Sequence, residues 1–340
     1  MRAIVVRRAQ TRPWGSRHNG GVTTASGTRL AASVTPGRDL ESAVRRVQRV
    51  EELGYDAVWS SQLPHARDAG VFIAQYALAT SRIQLGTAVL PIYTRHPTAM
   101  VQLAATLDEL SGGRFLLGIG LSHQVTVEGF WGLKLEHPVA AMREYVEVIR
   151  TSLREGGSNV EGQHFTARWQ YSGPRNGDLP IYIAALGPRM LEQAGEIADG
   201  VSLWMCAPSY IEREVVPRVR KGREKVGKTL DGFTISANLA VCLTGDVPAA
   251  LEAFKGTANV YSNLPFYRRA LEGAGYGEDL ASGGPSERMM LELAGIGDGK
   301  AIADAIRRYR EAGADEPVIG PFRAPGSADP DQAFEAAIAS

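Results

Sequence analysis

Residues 83–124 read IQLGTAVLPIYTRHPTAMVQLAATLDELSGGRFLLGIGLSHQ, and the order of residue types in them decides the fold. Ile83–Val89 is a short β-branched run, 97–110 carries apolar residues at helical spacing, and Arg114–Gly120 is a second apolar run. Strand, helix and strand within about 30 residues is the repeating unit of a parallel sheet. The alternation continues upstream through a strand at Arg29–Val34, a helix at Asp39–Leu53 closed by Gly54, a strand at Asp56–Ser60 and a helix near 67–80. Downstream come a helix at 138–154, a wetter link over 155–178, and strands at Pro180–Ala185, Gly200–Met205, Phe233–Leu243 and Glu316–Pro321. Eight strand runs in about 300 residues favour an α/β fold closed as a (β/α)8 TIM barrel over an open doubly wound sheet. The stretch 244–298, broken by GAGYG and SGGP, is longer than one helix requires and predicts a helical insertion after strand seven, before a last helix at 299–312. Residues 1–26 read as a polar, Gly-rich disordered extension, 27–325 as one barrel domain, and 326–340 as a C-terminal helix or tail.

Composition narrows the function classes. Of 340 residues 44% are apolar, enough for a well-filled core, and 37 Lys and Arg balance 37 Asp and Glu. No net field gathers phosphate backbones or anionic lipid, so neither nucleic acid nor a membrane surface is the expected partner. No apolar run approaches the roughly 20 residues that span a bilayer. Cys206 and Cys242 each sit in an apolar stretch without ligand spacing, as buried thiols of a reducing, cytoplasmic compartment would. The metallohydrolase, serine-hydrolase and P-loop signatures are all missing, which leaves metal hydrolysis, acyl transfer and nucleotide triphosphate chemistry without their parts.

In a barrel of this kind the loops after each strand hold the chemistry. Beyond strand two, Ser61 and Gln62 are candidate site residues, with a plain helix N-cap as the competing reading. Strand three runs through the small residues Thr87 and Ala88 to Val89, where a planar ligand can lie against the backbone; Arg95 and His96 beyond it either meet an anion or form a solvated surface pair. Gly118 and Gly120 begin a G-x-G without the third glycine of a dinucleotide site, and are followed by Ser122 and His123. His123 is the strongest candidate for proton chemistry, since imidazole titrates near neutrality; a satisfied structural histidine is the alternative. After strand five, Ala185, Leu186, Gly187, Pro188 and Arg189 lead into a helix whose free N–H groups make an anion cradle, or merely a turn. Trp204 and Met205, ending strand six, either wall a substrate pocket or pack in the core.

Taken with PIYIAALGPRMLEQAGEIADGVSLWM (180–205), the stretch 83–124 resembles the luciferase-like monooxygenase superfamily, and more narrowly its branch of oxidoreductases that use the deazaflavin coenzyme F420. The resemblance implies a (β/α)8 fold with an insertion after strand seven, usually as a dimer. It implies a bulge with a non-prolyl cis peptide at Thr87, Ala88 and Val89 behind the central ring, with Ser61 also on the cofactor side. It further implies a phosphate turn at Ala185–Pro188 flanked by Arg189. Relatives that oxidise sugar phosphates or alcohols carry histidine beyond strand two and glutamate beyond strand four, where this chain has Gln62 and His123. The expectation is therefore hydride transfer from F420 to a C=C, C=N or C=O bond of a small molecule. His123 protonates or polarises the far atom, and Ser122 and Gln62 orient it. An FMN-dependent monooxygenase and a non-catalytic flavin-binding barrel are the alternatives.

Overall fold

The computed structural model describes residues 29–339, so the expected extension over 1–26 lies outside the described residues. Strands β1 (Ala31–Ser33), β2 (Ala57–Ser60), β3 (Gln84–Thr87), β4 (Leu90–Pro91) and β5 (Phe115–Gly120) come first. They are followed by β6 (Gly157–Glu161), β7 (Thr166–Gln170), β8 (Ile181–Ala184), β9 (Gly200–Leu203), β10 (Thr234–Leu243), β11 (Ala294–Gly297) and β12 (Glu316–Pro321). The parallel ring runs β1-β2-β3-β5-β8-β9-β10-β12, and β12 closes on β1 through Ala31 opposite Val318. A TIM barrel is the result, as the alternation predicts.

Helices α1 (Leu40–Leu53), α2 (Ala69–Ala79), α3 (Pro97–Ser111), α4 (Pro138–Glu155) and α5 (Pro188–Ile197) cover the outside of the ring, with α6 (Pro208–Tyr210) and α7 (Val216–Lys225) after β9. Local chemistry sets their ends. Asp39 caps α1 by accepting from the N–H groups of Glu41 and Ser42, and Gly54 ends it at φ 93°, a left-handed conformation that glycine adopts without a Cβ clash.

The barrel interior is a small cluster of Ala31, Ala57, Trp59, Leu116, Tyr182 and Val318. Trp59 and Tyr182 meet edge to face, 4.8 Å between centroids. Beneath them, Glu316 is fully buried and accepts from Trp59 Nε1 (2.7 Å), Ser236 Oγ (3.1 Å), and Arg29 Nε and Nη2 (2.9 and 2.7 Å). Burial works against the Arg29 charge, but the Glu316 carboxylate more than offsets it and holds the guanidinium pKa above its ordinary value. One carboxylate thus ties β12, β2, β10 and the entry to β1 together.

Two stretches differ from the sequence reading. The link over 155–178 contains an antiparallel hairpin, β6 with β7, whose turn is gripped by Glu144 through the N–H groups of Gln163, His164 and Phe165. The insertion over 244–298 consists of α8 (Val247–Ser262), α9 (Pro265–Leu271), α10 (Gly277–Ala281) and α11 (Glu287–Leu293), but it also holds the strand β11. β10 outruns β9, which pairs only with Thr234–Ala237, and β11 takes the remaining length of that edge at Ala240–Leu243. After α12 (Gly299–Glu311) and β12, the C-terminal segment is a helix, α13 (Pro330–Ile338), opened by a capping box at Asp329.

Candidate active site

Two backbone features shape the mouth of the barrel. β3 pairs with β5 at Gly86 opposite Leu116, and β4 re-enters the ladder at Leu90 opposite Ile119. Thr87, Ala88 and Val89 therefore face only Leu117 and Gly118, which is a bulge of one extra residue, and the Ala88–Val89 peptide in it is cis. Thr87 Oγ1 locks the bulge down by donating to Gly118 O (2.7 Å) and accepting from Gly118 N (2.9 Å).

The G-x-G of β5 exists for this bulge. A Cβ on Gly118 would stand 1.7 Å from Thr87 O, and one on Gly120 would stand 2.5 Å from Val89 Cγ2. Gly118→Ala is accordingly expected to cost about 3 kcal/mol, the upper end of ordinary overpacking, because the obstacle is backbone and cannot rotate away. A chemical melt with a loss under about 1 kcal/mol would show that the bulge yields more freely than its bonding indicates.

The second feature is the start of α5. Gly187 at the start of α5 offers no side-chain cap, unlike Asp39, Asp68 and His96 before α1, α2 and α3, and like His137 before α4 and Leu264 before α9. Leu191 N makes the first helical bond, to Gly187 O, so the N–H groups of Arg189 and Met190 have no acceptor within the helix. A Cβ on Gly187 would meet nothing within 4 Å, so the space before these amides is open. Tyr210, on α6, steadies the turn by donating its hydroxyl to Leu186 O at 2.9 Å. Ala185 is buried behind the turn, and Pro188 and Arg189 are exposed. The donors, the dipole and the opening together suit a phosphate.

The remaining predicted residues are distributed unevenly. Ser61 begins the loop after β2, where its N–H donates to Thr35 Oγ1 (2.9 Å). Gln62 closes that loop: its Oε1 accepts from Ala69 N (2.7 Å) at the start of α2, and its Nε2 reaches Leu63 O (3.3 Å). Arg95 is ion-paired with Asp68, and His96 caps α3. Met205 is buried in the core, while Trp204 is only partly buried. Ser122 and Met205, at the ends of β5 and β9, hold left-handed backbone conformations (φ 63° and 48°), which are uncommon for residues with a Cβ.

His123 lies half-buried beyond Ser122, with its ring 6.2 Å from Tyr261 and 5.7 Å from Tyr267. Burial pushes its pKa below the ordinary histidine value, so the imidazole is neutral at neutral pH. Tyr261 closes α8 and Tyr267 lies in α9, which places the insertion directly over the mouth. Sequence reading missed both. The only local sign is a polar corner, Ser262-Asn263, between two tyrosines.

Comparison with known proteins bears on this geometry. Residues 20–316 match the family model described as luciferase-like monooxygenase. The 5,10-methylenetetrahydromethanopterin reductase of Methanopyrus kandleri is 28% identical over 319 residues, 85% of this chain and 90% of that protein. That of Archaeoglobus fulgidus is 33% identical over 207 residues, 61% of this chain and 62% of that one. The solved structure of coenzyme F420-dependent tetrahydromethanopterin reductase from Methanopyrus kandleri superposes with a TM-score of 0.78 at 26% identity, covering 92% of this chain and 97% of that one.

Proposed function

The chain belongs to the luciferase-like monooxygenase family, and from that premise we propose that it is an F420-dependent oxidoreductase reducing a C=C, C=N or C=O bond of a small organic substrate. The observation that carries the proposal is the uncapped, open start of α5, an anion cradle in a protein whose relatives include reductases named for F420. The residues present fit that coenzyme. The amides of Gly187, Arg189 and Met190, with the Arg189 guanidinium, would hold its phosphate, and the bulge Thr87–Ala88–Val89 would back its flat ring.

When bound, the reduced deazaflavin supplies a hydride; the protein supplies position and exclusion of water. His123 is the polarising group. Because burial disfavours the imidazolium, its neutral N–H donates a hydrogen bond to the acceptor heteroatom instead of releasing a full proton. Ser122 sets the direction of His123 through its left-handed backbone, and Gln62 holds the loop after β2 in place. The proposal includes a cytoplasmic homodimer. Two buried free thiols, Cys206 and Cys242, support a reducing compartment.

Fluorescence titration of the purified protein with F420 and, separately, with FMN tests the cofactor. Saturable F420 binding is the expected outcome, weakened by rising inorganic phosphate. FMN binding with no response to F420 would transfer the chain to the flavin monooxygenases of the same family, which a substrate-linked oxygen uptake would then reveal.

A further inference from the structure

Four aromatic rings from three separate segments meet on one side of the mouth. Beyond the two tyrosines flanking His123, Trp204 stands 5.7 Å from Tyr261 at 72°, and the tyrosines are 4.9 Å apart at 69°. His123 follows β5 and Trp204 follows β9, the strands on either side of β8 and its phosphate turn. The four rings pack on one another at steep angles, and each of the four residues keeps part of its surface exposed, which leaves ring faces and edges for a further flat group. Tight corners hold them in place: Leu264 N donates to Tyr261 O (2.9 Å), and Thr126 N and Val127 N both donate to His123 O (2.9 and 2.8 Å).

The wall carries no formal charge. His123 is neutral, and burial raises the pKa of both phenols, so they remain protonated donors. Neighbouring charges are engaged elsewhere: Arg268 with Glu272 at 3.0 Å, Arg269 over the Phe266 ring at 4.8 Å, and Glu128 with Gln124 Nε2 at 3.0 Å. The segments that carry His123 and Tyr261 also expose the apolar side chains Val125 (58%), Phe130 (66%) and Val260 (62%).

We infer that Trp204, Tyr261, Tyr267 and His123 form the acceptor subsite and select a flat, uncharged substrate with an aromatic ring conjugated to the reducible bond. Edge-to-face contact rewards a planar ring, while a carboxylate or phosphate on the substrate would be desolvated against a wall with no cation to pair it. For an aryl enone, the carbon β to the carbonyl receives the hydride of reduced F420, the C=C electron pair shifts through the carbonyl to oxygen, and a solvent proton completes the two-electron reduction. The inference rests on the F420 reading for its chemistry but not for its binding preference.

Matched ligands test it in the wild-type protein. With F420H2 as reductant, 4-phenyl-3-buten-2-one is expected to exceed 3-penten-2-one in kcat/KM by about 10-fold, and cinnamamide to inhibit at about 10-fold lower concentration than cinnamate. Tyr261→Leu and Tyr267→Leu should each reduce the aryl preference several-fold with F420 affinity unchanged. Equal competition by cinnamamide and cinnamate, or a preference that survives both substitutions, overturns the inference while leaving the cofactor assignment intact. If F420 fails to bind, quenching of the protein's tryptophan fluorescence by cinnamamide over cinnamate still reads the subsite. In that case the cofactor assignment alone falls.

Discussion

Glu316→Ala is expected to lower the unfolding free energy by about 3–5 kcal/mol, the range for removing one partner of a buried ion pair. The substitution strands more than one group. Arg29, whose side chain is only 18% exposed, loses its counter-charge, and Trp59 Nε1 and Ser236 Oγ lose their acceptor at the bottom of the barrel. Gln84 Oε1 still accepts from Arg29 Nη2 (2.6 Å), but its amide carries no charge to replace the carboxylate. A denaturant melt reads the loss as a lower midpoint at unchanged slope. Glu316→Gln should fall between, since an amide oxygen can still accept from Trp59 while the charge on Arg29 stays uncompensated. Arg29→Leu combined with Glu316→Ala should recover part of the loss, because removing both ions removes the desolvation that neither then incurs. A single-mutant cost below 1 kcal/mol would mean that solvent reaches the carboxylate in solution, and the network would then have no part in closing the ring.

The ring itself is legible in the sequence for a physical reason. Parallel strands covered on both faces are continuous apolar runs, and FLLGIG or EPVIGP announces itself without a partner in view. The hairpin β6–β7 gives no such sign. Its strands GSNVE and TARWQ are mostly polar, and they are held by Glu144 gripping three turn amides and by Trp169 Nε1 donating to Ser152 Oγ (3.1 Å). Both anchors belong to α4, and no local pattern encodes them. β11 is hidden differently: AGIG is too short and small to read as a strand, and it forms because β10 leaves an edge unpaired.

The site divides along the same line. The start of α5 is written locally in Gly187-Pro188, and the bulge is written in the resemblance, with Gly118 and Gly120 supplying its steric reason only once the structure is seen. His123 is marked by its place at a strand end. Its environment is not, because Tyr261 and Tyr267 reach it from an insertion far downstream, and a titrating group is defined by what buries it. The direction in which burial moves the His123 pKa is therefore invisible from residue type, although it favours a polarising role over a proton-donating one.

That direction makes His123→Ala the most informative test of the chemistry. Removing one preorganised donor from a site where charge develops on the acceptor costs about 10²–10³ in kcat, and the expected loss lies in that range with F420 affinity nearly unchanged. The pH profile separates donor from acid. Burial holds the folded pKa below the ordinary 6.5 or so, so the imidazolium is a minor species above neutrality and shrinks about tenfold with each further pH unit. A reaction that needs that proton must fall along with it. A reaction that needs only the neutral N–H is flat from about pH 7 to 9, and the facing phenols of Tyr261 and Tyr267, pushed up by burial, do not titrate in that window to imitate a limb. The flat profile is the expected result, together with partial recovery in His123→Asn, whose amide can still donate a hydrogen bond. A steady decline above pH 7 that disappears in His123→Ala would instead make His123 a general acid working against its own burial. Full turnover in the alanine variant would move the polarising role to the neighbouring tyrosines, whose hydroxyls are the other protonated donors in the same wall.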